Sequence, residues 1–254
     1  MKTVILAGGQ GTRLSEYTKI IPKPMVKIFN KPILFHITDH YKKFGFRDFI
    51  IATGYKGEYI KKYFKQSKNF TQIYNQFLKK KELLFKEKKT EATFLLVNTG
   101  RKTMTGGRIK RLSHHLKNDN FMLTYGDGIC DINIKKILNF HKKNKKIVTI
   151  TAVSPPSRFG ALQFQKKKNI VVKFEEKKFF FNSWINGGYF VMKPEFLKYL
   201  KSDSTFLERE PLQTMAKKKQ LIAFKHKGFW QCMDTIRDKK KLELYFRNKK
   251  KYAR

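Results

Sequence analysis

Val4-Ile5-Leu6-Ala7-Gly8-Gly9-Gln10-Gly11-Thr12-Arg13-Leu14 opens with a short, continuously apolar run, Val4 to Ala7, that ends abruptly in glycines. Such a run reads as a buried strand, Val4 to Ala7, with Gly8 to Leu14 as the loop after it. Further along, Pro22 and Pro24 exclude a helix around them. Asn30 is placed to cap a helix that starts near Pro32, whose apolar positions Ile33, Leu34, Ile37, Tyr41 and Phe44 follow helical spacing until Gly45 stops it. Phe49 to Ala52 reads as the next strand and Glu58 to Phe64 as a short helix. The order strand, loop, helix, strand, helix predicts a parallel sheet joined by crossover helices, hence an α/β fold.

Residues 66–91 are polar and basic with weak periodicity, and an irregular insertion is expected there. Thr93 to Val97 returns to strand and Gly107 to Leu116 to helix. Phe121 to Tyr125 is a strand that runs straight into Gly126-Asp127-Gly128. Ile134 to His141 reads as helix and Ile147 to Val153 as strand. Beyond it the style changes: Phe159 to Phe164, Ile170 to Phe174 and Tyr189 to Met192 are short strands, expected to extend the sheet in mixed or antiparallel fashion. Leu207 to Lys217 and Ile236 to Phe246 read as helices. No repeat or linker interrupts the chain, so 1–254 is expected to form one unit with a change of role near residue 153.

Composition sets bounds. With 254 residues, 41% hydrophobic and 24 Phe, the chain is too apolar and aromatic for a disordered one. The formal charge of +38 invites a polyanion-binding reading. That charge is mostly lysine, spread in short runs such as Lys79-Lys80-Lys81, Lys166-Lys167-Lys168 and Lys217-Lys218-Lys219, without a zinc-finger, basic-zipper or RNP-type pattern. A solvated, lysine-rich surface is therefore expected, with no nucleic-acid partner; a non-catalytic polyanion-binding protein is the alternative of another class. Cys130 and Cys232 lack a CxxC partner and cannot make a disulfide framework, which fits the reducing cytoplasm. The continuous run of four apolar residues before Gly8 is too short for the core of a signal peptide. No run of eighteen apolar residues exists, so neither a membrane span nor a membrane partner is expected.

The chemistry lies in a few segments. A glycine loop after a buried strand lets backbone N–H groups approach phosphate oxygens without Cβ clashes. Leu14 stands where a dinucleotide fingerprint needs glycine, and Gly-Lys-Ser/Thr is absent, so neither that fingerprint nor a P-loop applies. What remains is a phosphate loop with a built-in Arg13, and a Lys23 held between two prolines; a tight turn with surface cations is the plain alternative. Asp127, at the end of a strand, sits where α/β folds bind ligands and where carboxylates commonly hold Mg2+ on phosphates, although a turn aspartate looks the same. Asp234, in Gly228-Phe229-Trp230-Gln231-Cys232-Met233-Asp234-Thr235, reads either as a second Mg2+ ligand or as the N-cap of the helix near Ile236. Thr105 reads as a helix cap and Arg108 as a surface residue. Asn186-Gly187-Gly188 offers an amide that can donate and accept toward hydroxyls. His114-His115 has no ligand-spaced partner, and Mg2+ prefers oxygen over the two thiols.

Leu6 to Leu14 followed by Pro22-Lys23-Pro24-Met25 resembles the signature of the sugar-1-phosphate nucleotidyltransferases, and the resemblance extends over nearly the whole chain. It implies a Rossmann-like, three-layer α/β/α fold of the nucleotide-diphospho-sugar transferase type, with a nucleotide-binding half 1–153 and a sugar-phosphate-binding half 154–254. Carried over by position, Leu6, Ala7, Gly8, Gly9, Gln10, Gly11, Thr12, Arg13, Lys23, Thr103, Arg108 and Gly126 would bind the nucleotide. Tyr125, Lys177, Asn186, Gly187 and Gly188 would bind the sugar phosphate, and Asp127 and Asp234 would hold Mg2+. Arg13, Lys23 and Asp127 would carry catalysis. The family's usual Glu-Lys-Pro is here Glu176-Lys177-Lys178, which leaves Lys178 as an alternative to Lys177. Arg158-Phe159-Gly160 also resembles a family segment near the sugar. Met104-Thr105-Gly106-Gly107-Arg108 and Phe229 to Asp234 resemble the cytidylyltransferase pattern. The expected substrates are therefore CTP and glucose 1-phosphate, with dTTP or UTP, or another sugar phosphate, as alternatives. The resemblance further implies an assembly of identical chains and a place in the synthesis of bacterial surface polysaccharide.

Overall fold

The computed structural model of the chain describes residues 1–79, 82–154, 161–165, 170–175 and 184–251. Nine strands form the main sheet, numbered along the chain: β1 (Thr3–Ala7), β2 (Asp48–Thr53), β3 (Phe70–Ile73), β4 (Glu82–Glu87), β5 (Thr93–Asn98), β6 (Phe121–Tyr125), β7 (Val148–Val153), β8 (Ile185–Met192) and β9 (Leu221–His226). Their order across the sheet is β9-β7-β8-β6-β1-β2-β5-β4-β3. The four central strands β6, β1, β2 and β5 are parallel, with Val4 of β1 facing Leu123 on one side and Ile50 on the other. β8 runs antiparallel to both β6 and β7, and β4 and β3 close the other edge in antiparallel pairing.

Among the described residues six helices of seven or more residues flank the sheet: α1 (Ile33–Lys42), α2 (Gly57–Gln66), α3 (Thr105–Arg111), α4 (Ile134–Asn144), α5 (Glu210–Lys217) and α6 (Ile236–Lys251). β1 shows why they take both faces. All five of its residues are buried, and because successive side chains point to opposite faces, the strand needs a cover on each. Ile5 and Ala7 pack with Ile33, Ile37, Ile60, Ile137 and Leu242, whereas Val4 and Leu6 pack with Ile109, Leu212 and Met215. The result is the expected three-layer α/β/α arrangement. Each fully buried aliphatic side chain contributes about 1.5–3 kcal/mol, so the apolar run that ends at Gly8 fixes the centre of the molecule.

Several local expectations are corrected. Within the segment 66–91, where an irregular insertion is expected, Phe70–Ile73 and Glu82–Glu87 pair antiparallel as β3 and β4 and widen the sheet. The periodicity is weak because this edge is covered on both sides, with Leu83 and Phe85 in one core and Leu84 in the other. Asn30 does not cap α1. The chain reaches Pro32, the N-cap residue, through a tight antiparallel turn pairing Lys27–Ile28 with Lys31–Pro32, which leaves Asn30 two residues short. The 107–116 helix breaks at Leu112, giving α3 and a one-turn helix Ser113–Leu116. Among the described residues Ala161–Phe164 and Val171–Glu175 pair only with each other, and β8 is the strand that joins the sheet. Phe159 and Gly160 lie outside the described residues. β9 and the strand Trp230–Cys232 have no counterpart in the sequence reading.

Candidate active site

β6 delivers Tyr125, Gly126 and Asp127 to the carboxyl edge of the parallel strands, beside the end of β1, where Gly126 N–H donates to Leu6 O at 3.0 Å. The chain then enters a two-stranded ribbon in which Gly128–Cys130 pairs antiparallel with Trp230–Cys232. Its register sets Cys232 opposite Gly128, and Met233 N–H donates to Asp127 O at 2.9 Å. Asp127 precedes one strand and Asp234 follows the other, so the ribbon brings together two acids 107 positions apart.

Lys23 sits between them. Its Nζ donates to Asp127 Oδ2 at 2.6 Å and to Asp234 Oδ1 at 2.7 Å, and the residue is buried. Pro22 and Pro24 hold it at the start of a 3-10 turn, Lys23–Met25. Burial works to lower the ammonium pKa, but Asp127 and Asp234 together outweigh it and hold it above its ordinary value. Asp234 shows the reverse balance: burial pushes it up, and Lys23 and Arg13 bring it below the ordinary carboxylate value. Arg13 Nη1 reaches Asp234 Oδ2 at 2.8 Å, with a side chain 73% exposed at the cleft mouth. Asp234 is thus engaged by cations rather than by a helix end. The cap of α6 is Thr235, which accepts from Asp238 N–H while Asp238 Oδ2 accepts from Thr235 N–H.

The glycine loop closes the cleft from the β1 side. Gly11 has φ +65°, a left-handed conformation that side chains disfavour. Gly8 is needed for space: a Cβ there would lie 2.2 Å from Arg108 Nη1. Arg108 is buried behind the loop and donates to Gly8 O, Thr53 O, Gly100 O and Thr99 Oγ1 at 2.7–3.2 Å. Burial, with a smaller contribution from Arg111, lowers its pKa to about 10, so it stays charged near neutral pH. Thr103 is also buried on this side. Leu6, Ala7, Gly9, Gly11, Thr12 and Arg13 line the cleft; Gly8, Gln10, Thr103 and Arg108 stand outside its lining.

The opposite wall is assembled from distant segments. Tyr125 Oη donates to Glu208 Oε1 at 2.5 Å and accepts from Asn186 Nδ2 at 3.3 Å. Asn186 Oδ1 accepts Gly188 N–H at 2.7 Å, and Trp230 Nε1 donates to Gly187 O at 2.7 Å. Glu208 Oε2 accepts from Thr105 Oγ1 at 2.8 Å, and Thr105 accepts Leu207 N–H, so Thr105 ties two loops together rather than capping α3. Sequence reasoning missed Glu208, which lines the cleft; in Glu208-Arg209-Glu210-Pro211 it looks like any acid before a helix. Cys232 also faces the cleft, its thiol pushed up to about 12 by burial and the nearby Asp234 and Asp127. Lys177, Lys178 and Arg158 lie outside the described residues. The whole cleft encloses about 540 Å³.

A model of the nucleotidyl transferase family matches residues 2–238. The chain belongs to that family. Among relatives in it, the glucose-1-phosphate cytidylyltransferase of Salmonella typhi is 47% identical, over 96% of this chain and 95% of its own. The mannose-1-phosphate guanyltransferase of Saccharomyces cerevisiae is 30% identical, over 94% of this chain and 62% of its own. Of solved structures, HddC from Yersinia pseudotuberculosis matches with a TM-score of 0.69 at 24% identity, over 96% of this chain and 99% of that one, which shows a shared fold.

Proposed function

We propose that this nucleotidyl transferase joins CTP to glucose 1-phosphate, giving CDP-glucose and pyrophosphate. The observation that carries the reading is the convergence of Asp127 and Asp234 on one ammonium, beneath a glycine loop at the sheet's carboxyl edge. The 47% identity to a glucose-1-phosphate cytidylyltransferase supports this choice of substrates.

The reaction needs no protein nucleophile. An oxygen of the sugar phosphate attacks the α-phosphorus of CTP, the α–β bridging bond breaks, and pyrophosphate leaves with that bridging oxygen. The obstacle is repulsion between two anions, so the chain's contribution is orientation and charge. Backbone N–H groups of the Gly8–Arg13 loop take the triphosphate. Lys23 and Arg13, neutralised by carboxylates before substrate arrives, exchange those partners for phosphate oxygens and hold the departing pyrophosphate. Arg108 serves the nucleotide through the loop it props up, and Thr103 lies in the same buried support.

The donor set fits Mg2+. Asp127 and Asp234 offer hard carboxylate oxygens, each within 2.7 Å of a cation that already stands between them, and two protein ligands leave most of an octahedral shell to phosphates and water. Mg2+ held there would offset the charge on the reacting phosphate oxygens. Tyr125 and Asn186 with Gly187 and Gly188 form the sugar wall, with Lys177 assigned to the sugar phosphate by family position. Glu208 joins them, a fixed acceptor for a sugar hydroxyl. Division of the chain into a nucleotide half, 1–153, and a sugar half, 154–254, belongs to the same proposal. So does an assembly of identical chains, supported by Tyr74 and Phe77, 87% and 82% exposed beside the edge strands. A cytoplasmic setting is proposed from the two unpaired cysteines.

Pyrophosphate release measured with each of the four common NTPs and glucose 1-phosphate, with and without Mg2+, tests the reading. CTP with Mg2+ is expected to dominate. No release from any of the four defeats the proposal, and preference for another NTP overturns the cytidylyl assignment.

A further inference from the structure

We propose that Glu82, His114 and His115 form a binding site for a zinc-class transition-metal ion, separate from the cleft. Glu82 lies at the start of the edge-region strand β4, and the two histidines lie on the one-turn helix Ser113–Leu116. None of the three lines the cleft. The Glu82 side chain is 2% exposed, and its Oε1 meets His114 Nε2 at 3.1 Å and His115 Nε2 at 2.8 Å. Its other oxygen accepts Lys79 N–H at 3.1 Å, which fixes the carboxylate plane. The imidazoles lie side by side, with centroids 3.8 Å apart, so two neighbouring residues aim the same kind of nitrogen at one oxygen.

All three ligand atoms lie within 4.8 Å of one another. Tetrahedral zinc, with bonds of about 2.0–2.1 Å, has ligand-to-ligand edges of about 3.3 Å. The two observed nitrogen–oxygen edges need to open by only a few tenths of an ångström to admit the ion. Entry replaces two N–H···O contacts by metal bonds: each Nε2 proton shifts, through solvent, to the Nδ1 of its own ring, and each Nε2 lone pair then faces the ion. No net proton is lost. Two imidazole nitrogens with one carboxylate select zinc, cobalt or nickel over Mg2+ or Ca2+. His114 is a third exposed and borders an open groove with Ser113, Lys117 and Asp119, giving the ion a way in and a water room for the fourth position. The bound ion would clamp β4 to the helix that follows α3.

Another His-containing cluster, Cys130, Asp131 and His226, fits less well, because burial pushes the Cys130 thiol up to about 12 and so opposes the thiolate. The test is titration of the metal-stripped, tag-free full chain with Co2+, read by visible ligand-field absorption, followed by displacement with Zn2+. One equivalent should bind, Zn2+ should displace it, and the melting temperature should rise with Zn2+. His114→Ala and His115→Ala should each weaken binding at least about tenfold, and Glu82→Gln should do the same. Metal-free melting of the His114→Ala chain, expected to match the parent closely, separates ligand loss from misfolding. Asp127→Asn and His226→Ala should leave the Co2+ spectrum unchanged. No stoichiometric binding, binding that survives both histidine changes, or binding abolished by His226→Ala would overturn the proposal.

Discussion

The two walls of the cleft are made from different materials. The wall proposed to take the nucleotide comes from one contiguous stretch, Leu6 to Lys23, and it is stiffened from behind: Gly8 O accepts from Arg108 and from Tyr55 N–H, and Gly11 O accepts from Leu14 N–H and Thr18 Oγ1. The wall proposed to take the sugar is a chain of side chains from four separate segments, Asn186 to Tyr125 to Glu208 to Thr105, with Trp230 alongside. Backbone N–H groups and fixed cations suit what all triphosphates share. Side-chain donors and acceptors in a row suit the hydroxyl pattern that distinguishes one sugar from another. Charge chemistry is therefore assigned to the first wall and to the cleft floor, where Asp127, Lys23 and Asp234 meet, and discrimination to the second wall.

The sharpest contrast should come from the floor and the mouth. Asp127→Asn and Arg13→Ala should each cut turnover by roughly 10²–10³-fold, while circular dichroism and melting stay close to the parent. Normal turnover in either variant removes that residue from the mechanism. Arg108→Met tests the support behind the nucleotide wall. It strips four hydrogen bonds, three of them buried, and should cost about 3 kcal/mol of stability in denaturant titration. The KM for CTP should rise more than that for glucose 1-phosphate. Glu208→Gln keeps shape but removes charge from the sugar wall, and should raise the KM for glucose 1-phosphate about tenfold with little change for CTP. Equal shifts in both constants would erase the distinction between the walls.

The smallest effect lies away from both. His141 is buried with Nδ1 at 2.8 Å from Thr149 Oγ1, and burial lowers its pKa to about 4 from 6.5. Between those values the unfolded chain binds the proton and the folded chain does not, so stability falls as pH drops through that window, by up to about 1.4 kcal/mol per pH unit. Denaturant titrations at pH 7 and pH 5 should differ by about 2 kcal/mol, and less in His141→Gln. Equal pH dependence in parent and variant would assign the acid sensitivity to other groups.

Much of the first wall is legible in sequence because its parts are local. The apolar run Val4 to Ala7, the glycines after it and the prolines around Lys23 impose their structure within a few residues. Asp127 is legible for the same reason, at the end of an obvious strand. The pairing of Asp127 with Asp234 rests on ribbon register, which no local pattern encodes; here the family resemblance supplied the expectation. Glu208, and the partnership of Glu82 with His114 and His115, depend wholly on packing between segments far apart in the chain. Local pattern also misleads where two cores meet, as at Leu83-Leu84-Phe85, whose alternation is hidden because both faces are covered.

In the proposed mechanism Asp127 and Asp234 act together, on one charge. Pyrophosphate release from CTP and glucose 1-phosphate, measured for the parent, Asp127→Asn, Asp234→Asn and the double variant, tests it directly. Each single change should lose nearly the full effect and the double change little more, a strongly non-additive cycle. Losses that simply multiply would mean that the two carboxylates work independently, and would contradict the shared site.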